Sequence, residues 1–220
     1  MWPYWCLTCS TYSRLICTRP SCAKCPKTAL AAGNDKTMGL FHMSNRHQGK
    51  LEGAATFLRA SHISRWGIVH TTTKQNIAEH MYRVWVLVRE WGPTIRLPIN
   101  EQVLAEEWAL IHDLPEIRTG DMPTPHKTPE VKAWLNHLES DIFPPLDEVH
   151  KMEDVTAAFC KFCDTAESIL YLKINGTGQH AIDVRELLAE QMWDRLHRSP
   201  IDAVSQAALH GLFNDTYCNT

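Results

Sequence analysis

Four side chains with metal-binding chemistry lie beside apolar stripes in three segments of this sequence: His80, His112, Asp113 and Asp164. A single histidine on an apolar helix face is more often a core residue with one hydrogen bond, and a His-Asp dipeptide often occurs by chance. Two imidazoles and two carboxylates together supply a mixed nitrogen and oxygen site that suits zinc, manganese, cobalt or iron. Such a site leaves positions open for water and substrate, as metal-assisted hydrolysis requires.

Two further acids follow the His-Asp pair within the segment IHDLPEIRTGDMPTP, residues 111–125. Pro115 removes a helical N–H, so a helix that reaches this point is expected to kink or end there. If helical geometry survives Pro115, Glu116 shares a face with His112, one turn earlier. Taken alone, Glu116 would be a solvated acid at a helix end and Asp121 a turn-forming residue.

Helices must position these residues, because apolar side chains recur at helical spacing after about residue 50. No segment alternates as a half-buried strand does, and no internal repeat occurs. The pattern predicts helices over residues 76–91, 100–113, 154–174, 181–198 and 200 to about 213, with weaker candidates over 130–142 and 146–151. We therefore predict one all-α domain, a helical bundle with a metal site between its helices.

Local signals predict where these helices begin and end. Gly92-Pro93 is expected to end the first helix, and Asn175-Gly176 the helix that carries Asp164. Asn100 is a candidate N-cap for the second helix. Ser199-Pro200 supplies an N-cap and a first-turn proline for the last one.

Composition narrows the class of protein. A net charge of −3 gives neither a basic excess for nucleic-acid binding nor an acidic tract typical of disorder. No apolar run approaches the roughly 20 residues needed to cross a membrane. Five of the eight cysteines fall in the first 25 residues, so the body of the chain suits a reducing compartment. Cys160 and Cys163 are expected to be small core residues rather than metal ligands.

Residues 1–42 differ from the rest and show no helical or strand period. Two pairs in this segment, Cys6-x-x-Cys9 and Cys22-x-x-Cys25, could bind zinc in a closed tetrahedral site. The segment lacks the apolar residues and glycine turns of a compact zinc module. We therefore expect an unstructured, dispensable extension ahead of a domain over residues 43–220, and not a signal peptide.

The spacing of His80, His112-Asp113 and Asp164 resembles the H…HD…D signature of the HD-domain phosphohydrolases, an all-helical, metal-dependent superfamily. The segments RWGIVHTTTKQNIAEH and HDLPEIRTGDMPTPHK are similar to the small 5′-deoxynucleotidases and to the compact phage dATP triphosphohydrolases. The resemblance covers roughly residues 50–175 and excludes residues 1–42. The short gap between the two histidines is more typical of the phage enzymes.

The resemblance implies a role for each candidate residue. The four residues of the signature would hold a divalent cation, namely zinc, cobalt, manganese or magnesium. Glu116 would orient or deprotonate the attacking water, or protonate the departing sugar oxygen, and Asp121 would contact water, a second metal or the sugar. The expected substrate contacts are phosphate for Arg65 and Lys127, sugar or base for Trp66, and the base for Ile68.

This resemblance implies a metal-dependent enzyme that cleaves the 5′-phosphate ester of 2′-deoxynucleotides. We favour a dATP triphosphohydrolase that releases deoxyadenosine and triphosphate in phage nucleotide metabolism. The alternative is a 5′-deoxynucleotidase acting on monophosphates, because both need the same metal site. A non-catalytic nucleotide-binding module and a zinc-ribbon interaction protein are weaker alternatives. We expect a cytoplasmic homo-oligomer, within a bacterial host if phage-encoded, with no membrane or stable nucleic-acid partner.

Overall fold

The computed structural model describes residues 53–142 and 151–220, and in these ranges the chain is helical. Within them, β-structure is limited to two isolated bridges, Ser64–Asn76 and Thr71–Gly176. The α-helices are α1 Ala54–Phe57, α2 Ile77–Ile95, α3 Ile99–Ile111, α4 Glu116–Thr119, α5 Pro129–Ile142, α6 Asp154–Asn175, α7 Gly178–Arg198 and α8 Ala203–Asn219. Two 3-10 helices span Leu58–His62 and Thr124–His126. The predicted all-α class is confirmed, while the cysteine pairs of residues 1–42 and nearly all of the 146–151 segment lie outside the described residues.

The core forms where α2, α3 and α6 pack against one another, with α7 covering α6. Each of these helices presents an apolar stripe, and burial of that stripe holds the bundle together. Cys160 and Cys163 are buried in this core, as predicted. No helix of the described ranges is long and apolar enough to span a membrane.

The first long helix continues past Gly92-Pro93, so the predicted end at that dipeptide is wrong. Trp91 and Ile95 are both buried, and the extra turn places Ile95 in the core. The helix ends instead at Ile95, and Arg96 caps it in a left-handed conformation with φ 54°. At its start, Asn76 accepts a hydrogen bond from the Glu79 backbone N–H at 2.9 Å.

Two other predicted caps are also wrong. Helix α3 begins at Ile99 after Pro98, which places Asn100 inside the helix. Ser199 is the C-cap of α7, which ends at Arg198. The N-cap of α8 is Asp202, whose carboxylate accepts hydrogen bonds from two backbone N–H groups. A carboxylate can satisfy both donors at once, which Ser199 does not do here. The predicted end of α6 at Asn175-Gly176 is confirmed.

A long segment between the first 3-10 helix and α2, residues 63–76, is named here the site loop because it carries Arg65 and Trp66. Its two ends are joined by hydrogen bonds from Arg65 N to Gln75 O at 2.9 Å and from Ile77 N to Ile63 O at 3.0 Å. Thr72 N donates to Asn175 O at 2.8 Å, which fixes the loop to the end of α6. The site loop therefore has a defined position relative to the helix that carries Asp164.

Candidate metal centre and substrate site

The four predicted metal ligands converge between α2, the end of α3 and α6. Suitable atoms of His80, His112 and Asp113 all lie within 4.8 Å of one another. Asp164 Oδ1 lies 3.1 Å from His80 Nε2 and 4.0 Å from His112 Nε2. The two imidazoles meet edge to face with ring centroids 5.4 Å apart. Residues separated by 84 positions in sequence thus form one cluster.

The ring of His112 is oriented by the last turn of α3. Its Nδ1 lies 3.2 Å from the carbonyl oxygens of both Trp108 and Ala109, so Nδ1–H donates to the helix. The indole of Trp108 stacks on the imidazole. This arrangement leaves Nε2 free of hydrogen bonds, buried, and facing the cluster as a metal ligand would.

The ring of His80 is held by a residue that sequence reasoning missed. Its Nδ1 lies 2.6 Å from Oε2 of Glu167, which is almost fully buried, and its Nε2 faces the cluster. Glu167 follows Asp164 by three residues on α6, so the two side chains share a helix face. That spacing was the available signal, but the surrounding apolar residues gave no reason to expect a buried acid.

The cluster keeps its carboxylates ionised. Burial alone would raise the pKa of Asp164, but Lys161, His80 and His112 lower it well below its ordinary value. Burial likewise opposes ionisation of Asp113, whose pKa is lowered by His112, His80 and Arg65. Burial lowers the pKa of His112, which favours the neutral imidazole that a metal needs. Two anionic carboxylates and a neutral imidazole therefore face one point.

Glu116 lies at the start of α4, after α3 has ended and the chain has turned through Pro115. The predicted interruption of the helix is therefore present, but α3 already ends at Ile111, four residues before Pro115. Glu116 is only 9% exposed, so it is not a solvated acid. Burial, followed by the charges of Asp113 and Asp121, raises its pKa to about 9, while Lys127 acts in the opposite direction. Asp121 and Lys127 therefore lie close enough to Glu116 to affect its charge.

Arg65 reaches the cluster from the site loop. Its Nη1 lies 3.8 Å from Asp113 Oδ2, and its Nη2 donates to the Ser168 hydroxyl at 3.3 Å. The Nη1 atom is buried and has no hydrogen-bond partner. One arm of the guanidinium is therefore anchored while the other retains donor capacity beside the metal cluster.

Trp66 follows Arg65 in a left-handed conformation with φ 64°, which is costly for a side chain of this size. Its ring stacks parallel to that of Tyr171 with centroids 5.9 Å apart, and its Nε1 donates to Gln75 Oε1 at 2.9 Å. The indole is half-buried, so part of its surface packs against the protein and part remains available to contact a sugar or base. Ile68 is 44% exposed, so it remains accessible to a ligand.

The donor set fits a divalent cation together with an anionic substrate. Among the described residues, three buried side-chain atoms lack a hydrogen-bond partner: Arg65 Nη1, His112 Nε2 and Glu116 Oε2. Buried polar atoms are normally satisfied, so unpaired ones need an explanation. All three belong to residues that the sequence assigned to metal, phosphate or proton chemistry.

The helical bundle and its His-Asp cluster form an all-α scaffold that could hold a metal ion. The model of the HD domain family matches residues 59–200, and the chain belongs to that family. A dATP triphosphohydrolase of cyanophage S-2L is 54% identical over 164 residues, which cover 74% of this chain and 94% of the relative. A 5′-deoxynucleotidase of Klebsiella pneumoniae is 33% identical over 122 residues, covering 46% of this chain and 61% of the relative.

A solved structure of the cyanophage S-2L HD phosphohydrolase DatZ, bound to dA and one catalytic Zn²⁺ ion, has the same fold. It superposes with a TM-score of 0.76 and 51% sequence identity, covering 78% of this chain and 99% of that one. The resemblance inferred from the sequence is therefore confirmed, and the 5′-deoxynucleotidases are more distant relatives.

Proposed function

We propose that this chain is a dATP triphosphohydrolase that cleaves the 5′-phosphate ester to give deoxyadenosine and triphosphate. The observation that carries the proposal is the cluster of His80, His112, Asp113 and Asp164 with unpaired polar atoms of Arg65 and Glu116 around it. The phage relative that is 54% identical and named for this activity supports the choice of substrate.

The four cluster residues would hold the cation, and zinc, cobalt, manganese or magnesium are the ions that the family resemblance implies. A Zn²⁺ ion in the related DatZ structure supports zinc. When bound, the ion supplies Lewis acidity for the phosphoryl group and for water.

Arg65 then supplies charge and directed donors for the phosphate next to the sugar, because its Nη1 has no hydrogen-bond partner although it lies beside Asp113. Lys127 adds positive charge for the rest of the phosphate chain. Both residues would stabilise negative charge that develops as the ester bond breaks.

Glu116 is the candidate proton donor to the departing 5′-oxygen. With a pKa of about 9 in the metal-free chain, it carries a proton at neutral pH. Asp121 helps to keep that proton in place through its negative charge. Donation of the proton from Glu116 to the 5′-oxygen leaves neutral deoxyadenosine rather than an alkoxide.

Trp66 and Ile68 would form the wall against the sugar and base. An indole held by Tyr171 and Gln75 has little freedom to retreat from a 2′-hydroxyl. Burying an unpaired hydroxyl costs about 1–3 kcal/mol, which corresponds to roughly 5- to 150-fold discrimination. We therefore expect a preference for the deoxyribose substrate.

The second candidate is hydrolysis of deoxynucleoside monophosphates, favoured by the similarity to 5′-deoxynucleotidases. The deciding experiment incubates zinc-loaded protein with dATP, ATP, dAMP and other nucleotides and separates the products by ion-exchange chromatography. Deoxyadenosine with intact triphosphate from dATP supports the proposal. Phosphate released only from dAMP would replace it with the second candidate.

We further propose that the chain acts as a homo-oligomer in the cytoplasm of a bacterial host. Leu58 is 73% exposed beside an apolar cavity lined by Phe57, Met81 and Leu114, which supplies surface for self-association. Light scattering after size-exclusion chromatography measures the oligomer, and a monomer at micromolar concentration would contradict this part.

A further inference from the structure

Glu167 connects residues that the catalytic scheme treats separately. Its side chain is 1% exposed, and Oε2 receives the Nδ1–H of His80 at 2.6 Å. Oε1 accepts a hydrogen bond from Gln75 Nε2 at 2.7 Å and lies 2.7 Å from Arg83 Nε. Both oxygens of this carboxylate are therefore used, one by a metal ligand and the other by neighbouring side chains.

Gln75 continues the connection to the site loop. It is fully buried, donates through Nε2 to Glu167 and accepts through Oε1 from Trp66 Nε1. A carboxylate can only accept and an indole can only donate, so only one orientation of the Gln75 amide satisfies both partners. The donor and acceptor of each hydrogen bond in the series from Trp66 through Gln75 and Glu167 to His80 are therefore fixed.

Ring contacts provide a second connection between Trp66 and Glu167. Tyr171 stacks on Trp66, and the guanidinium of Arg83 lies 5.7 Å from the Tyr171 ring centroid. Arg83 in turn pairs with Glu167. Trp66 is thus connected to Glu167 by two routes, one through hydrogen bonds and one through stacked groups.

We propose that Glu167 is a positioning residue that sets the orientation of His80 and, through Gln75, the position of the Trp66 wall. It keeps the proton of His80 on Nδ1, which leaves Nε2 for the metal. This inference rests on the proposed function, because it takes His80 as a metal ligand and Trp66 as part of the sugar pocket. Metal affinity and sugar discrimination then depend on one buried carboxylate.

Replacing Glu167 by Gln turns one acceptor into a donor. The new N–H₂ group must face either His80 Nδ1–H or the donors Gln75 and Arg83, and each arrangement opposes two donors. Loss of such a partner typically weakens metal binding by about 10- to 100-fold. Gln75→Met preserves size but removes both hydrogen bonds of the amide. Trp66 should then lose its hydrogen bond to residue 75, while His80 keeps its hydrogen bond to Glu167.

The test titrates Co²⁺ into the metal-free full chain and follows the visible absorption of the bound ion, alongside dATP and ATP hydrolysis by the zinc-loaded proteins. Glu167→Gln should weaken Co²⁺ binding by about 10- to 100-fold and alter the spectrum. Gln75→Met should bind Co²⁺ within about threefold of wild type yet narrow the dATP to ATP preference. Glu101→Gln is the matched control. Glu101 is also buried, but it accepts hydrogen bonds from the Thr156 hydroxyl and from the backbone N–H of Glu153 at the start of α6.

Wild-type Co²⁺ affinity in Glu167→Gln would overturn the proposal for His80, and an unchanged sugar preference in Gln75→Met would overturn the link to Trp66. If Glu167→Gln does not fold, nitrogen-15 NMR of the zinc-loaded wild type decides the first point. A His80 ring protonated on Nε2 rather than Nδ1 would overturn it. Glu167-dependent Co²⁺ binding without any nucleotide hydrolysis would reject the proposed function and leave the positioning of His80 intact.

Discussion

The imidazole of His112 lies against the indole of Trp108, with ring centroids 4.2 Å apart and 13° between the ring planes. The backbone carbonyl of Trp108 also lies 3.2 Å from His112 Nδ1. One residue therefore supplies both the surface and a hydrogen-bond acceptor that orient this ligand. These contacts restrict the orientation of the ring, which reduces the ordering that metal binding requires.

Removing a metal ligand should abolish most metal binding and turnover. We expect His80→Ala, His112→Ala and Asp164→Ala each to lose more than the roughly 10- to 100-fold typical of residues that only support a ligand. Elemental analysis and hydrolysis of dATP measure the effect, and circular dichroism should show near wild-type helix content. His180→Ala, at an exposed histidine of α7, is the control. Full metal and full turnover in Asp164→Ala would refute the four-residue site.

The stability of the metal-free protein should carry a pH dependence due to Glu116. Its pKa rises from an ordinary 4.5 to about 9 on folding, so the folded chain binds this proton more tightly than the unfolded chain. The stabilisation from this group is complete below about pH 4.5 and is lost as the pH rises toward about 9. Each unit of pKa difference corresponds to about 1.4 kcal/mol.

Urea unfolding in the presence of a chelator at pH 5 to 9 tests this dependence. The free energy of unfolding should fall more steeply with pH for wild type than for Glu116→Gln, which has no proton to lose. Groups remote from Glu116 titrate equally in both proteins, so the difference between the two slopes reports on Glu116 together with the acids that it interacts with. Parallel slopes would show that Glu116 is ionised in the folded chain.

Arg65 and Trp66 should affect different aspects of catalysis although they are adjacent. Arg65→Ala should lower kcat/KM for dATP and ATP alike, because the guanidinium serves the phosphate that both substrates share. Trp66→Ala should narrow the preference for dATP, because the indole is the proposed barrier to a 2′-hydroxyl. Steady-state rates on the two substrates measure both effects. Equal rates on dATP and ATP in the wild type would remove the basis for the sugar argument.

Starting the chain at Met43 should leave stability and catalysis essentially intact. Every proposed catalytic residue lies after position 64, and the described core begins at Ala60, with Phe57 packed against it. Thermal unfolding and dATP hydrolysis of the shortened chain, compared with the full chain, measure this. If the shortened chain loses both its activity and one tightly bound zinc ion per chain, the result would instead support a folded zinc module formed by the N-terminal cysteines.

The sequence by itself determined the all-α class, the approximate helix positions and the set of candidate metal-binding residues. Helical spacing is a local property, and His80, His112-Asp113 and Asp164 occur in a pattern specific enough to indicate a shared site. A helix break near Pro115 was also predictable, since proline removes a backbone donor wherever it occurs. By contrast, the end of α2 depended on burial of Ile95, which outweighed the local signal of Gly92-Pro93.

Only the tertiary structure decided how the ligands are oriented. Glu167 and Gln75 are ordinary polar residues in sequence, and their roles arise because α6, α2 and the site loop bring distant donors and acceptors together. The high pKa of Glu116 likewise depends on burial near Asp113 and Asp121 after the chain turns at Pro115. Residue types limit which chemistry is available, whereas desolvation and hydrogen-bond direction depend on which groups the fold places within a few ångströms of one another.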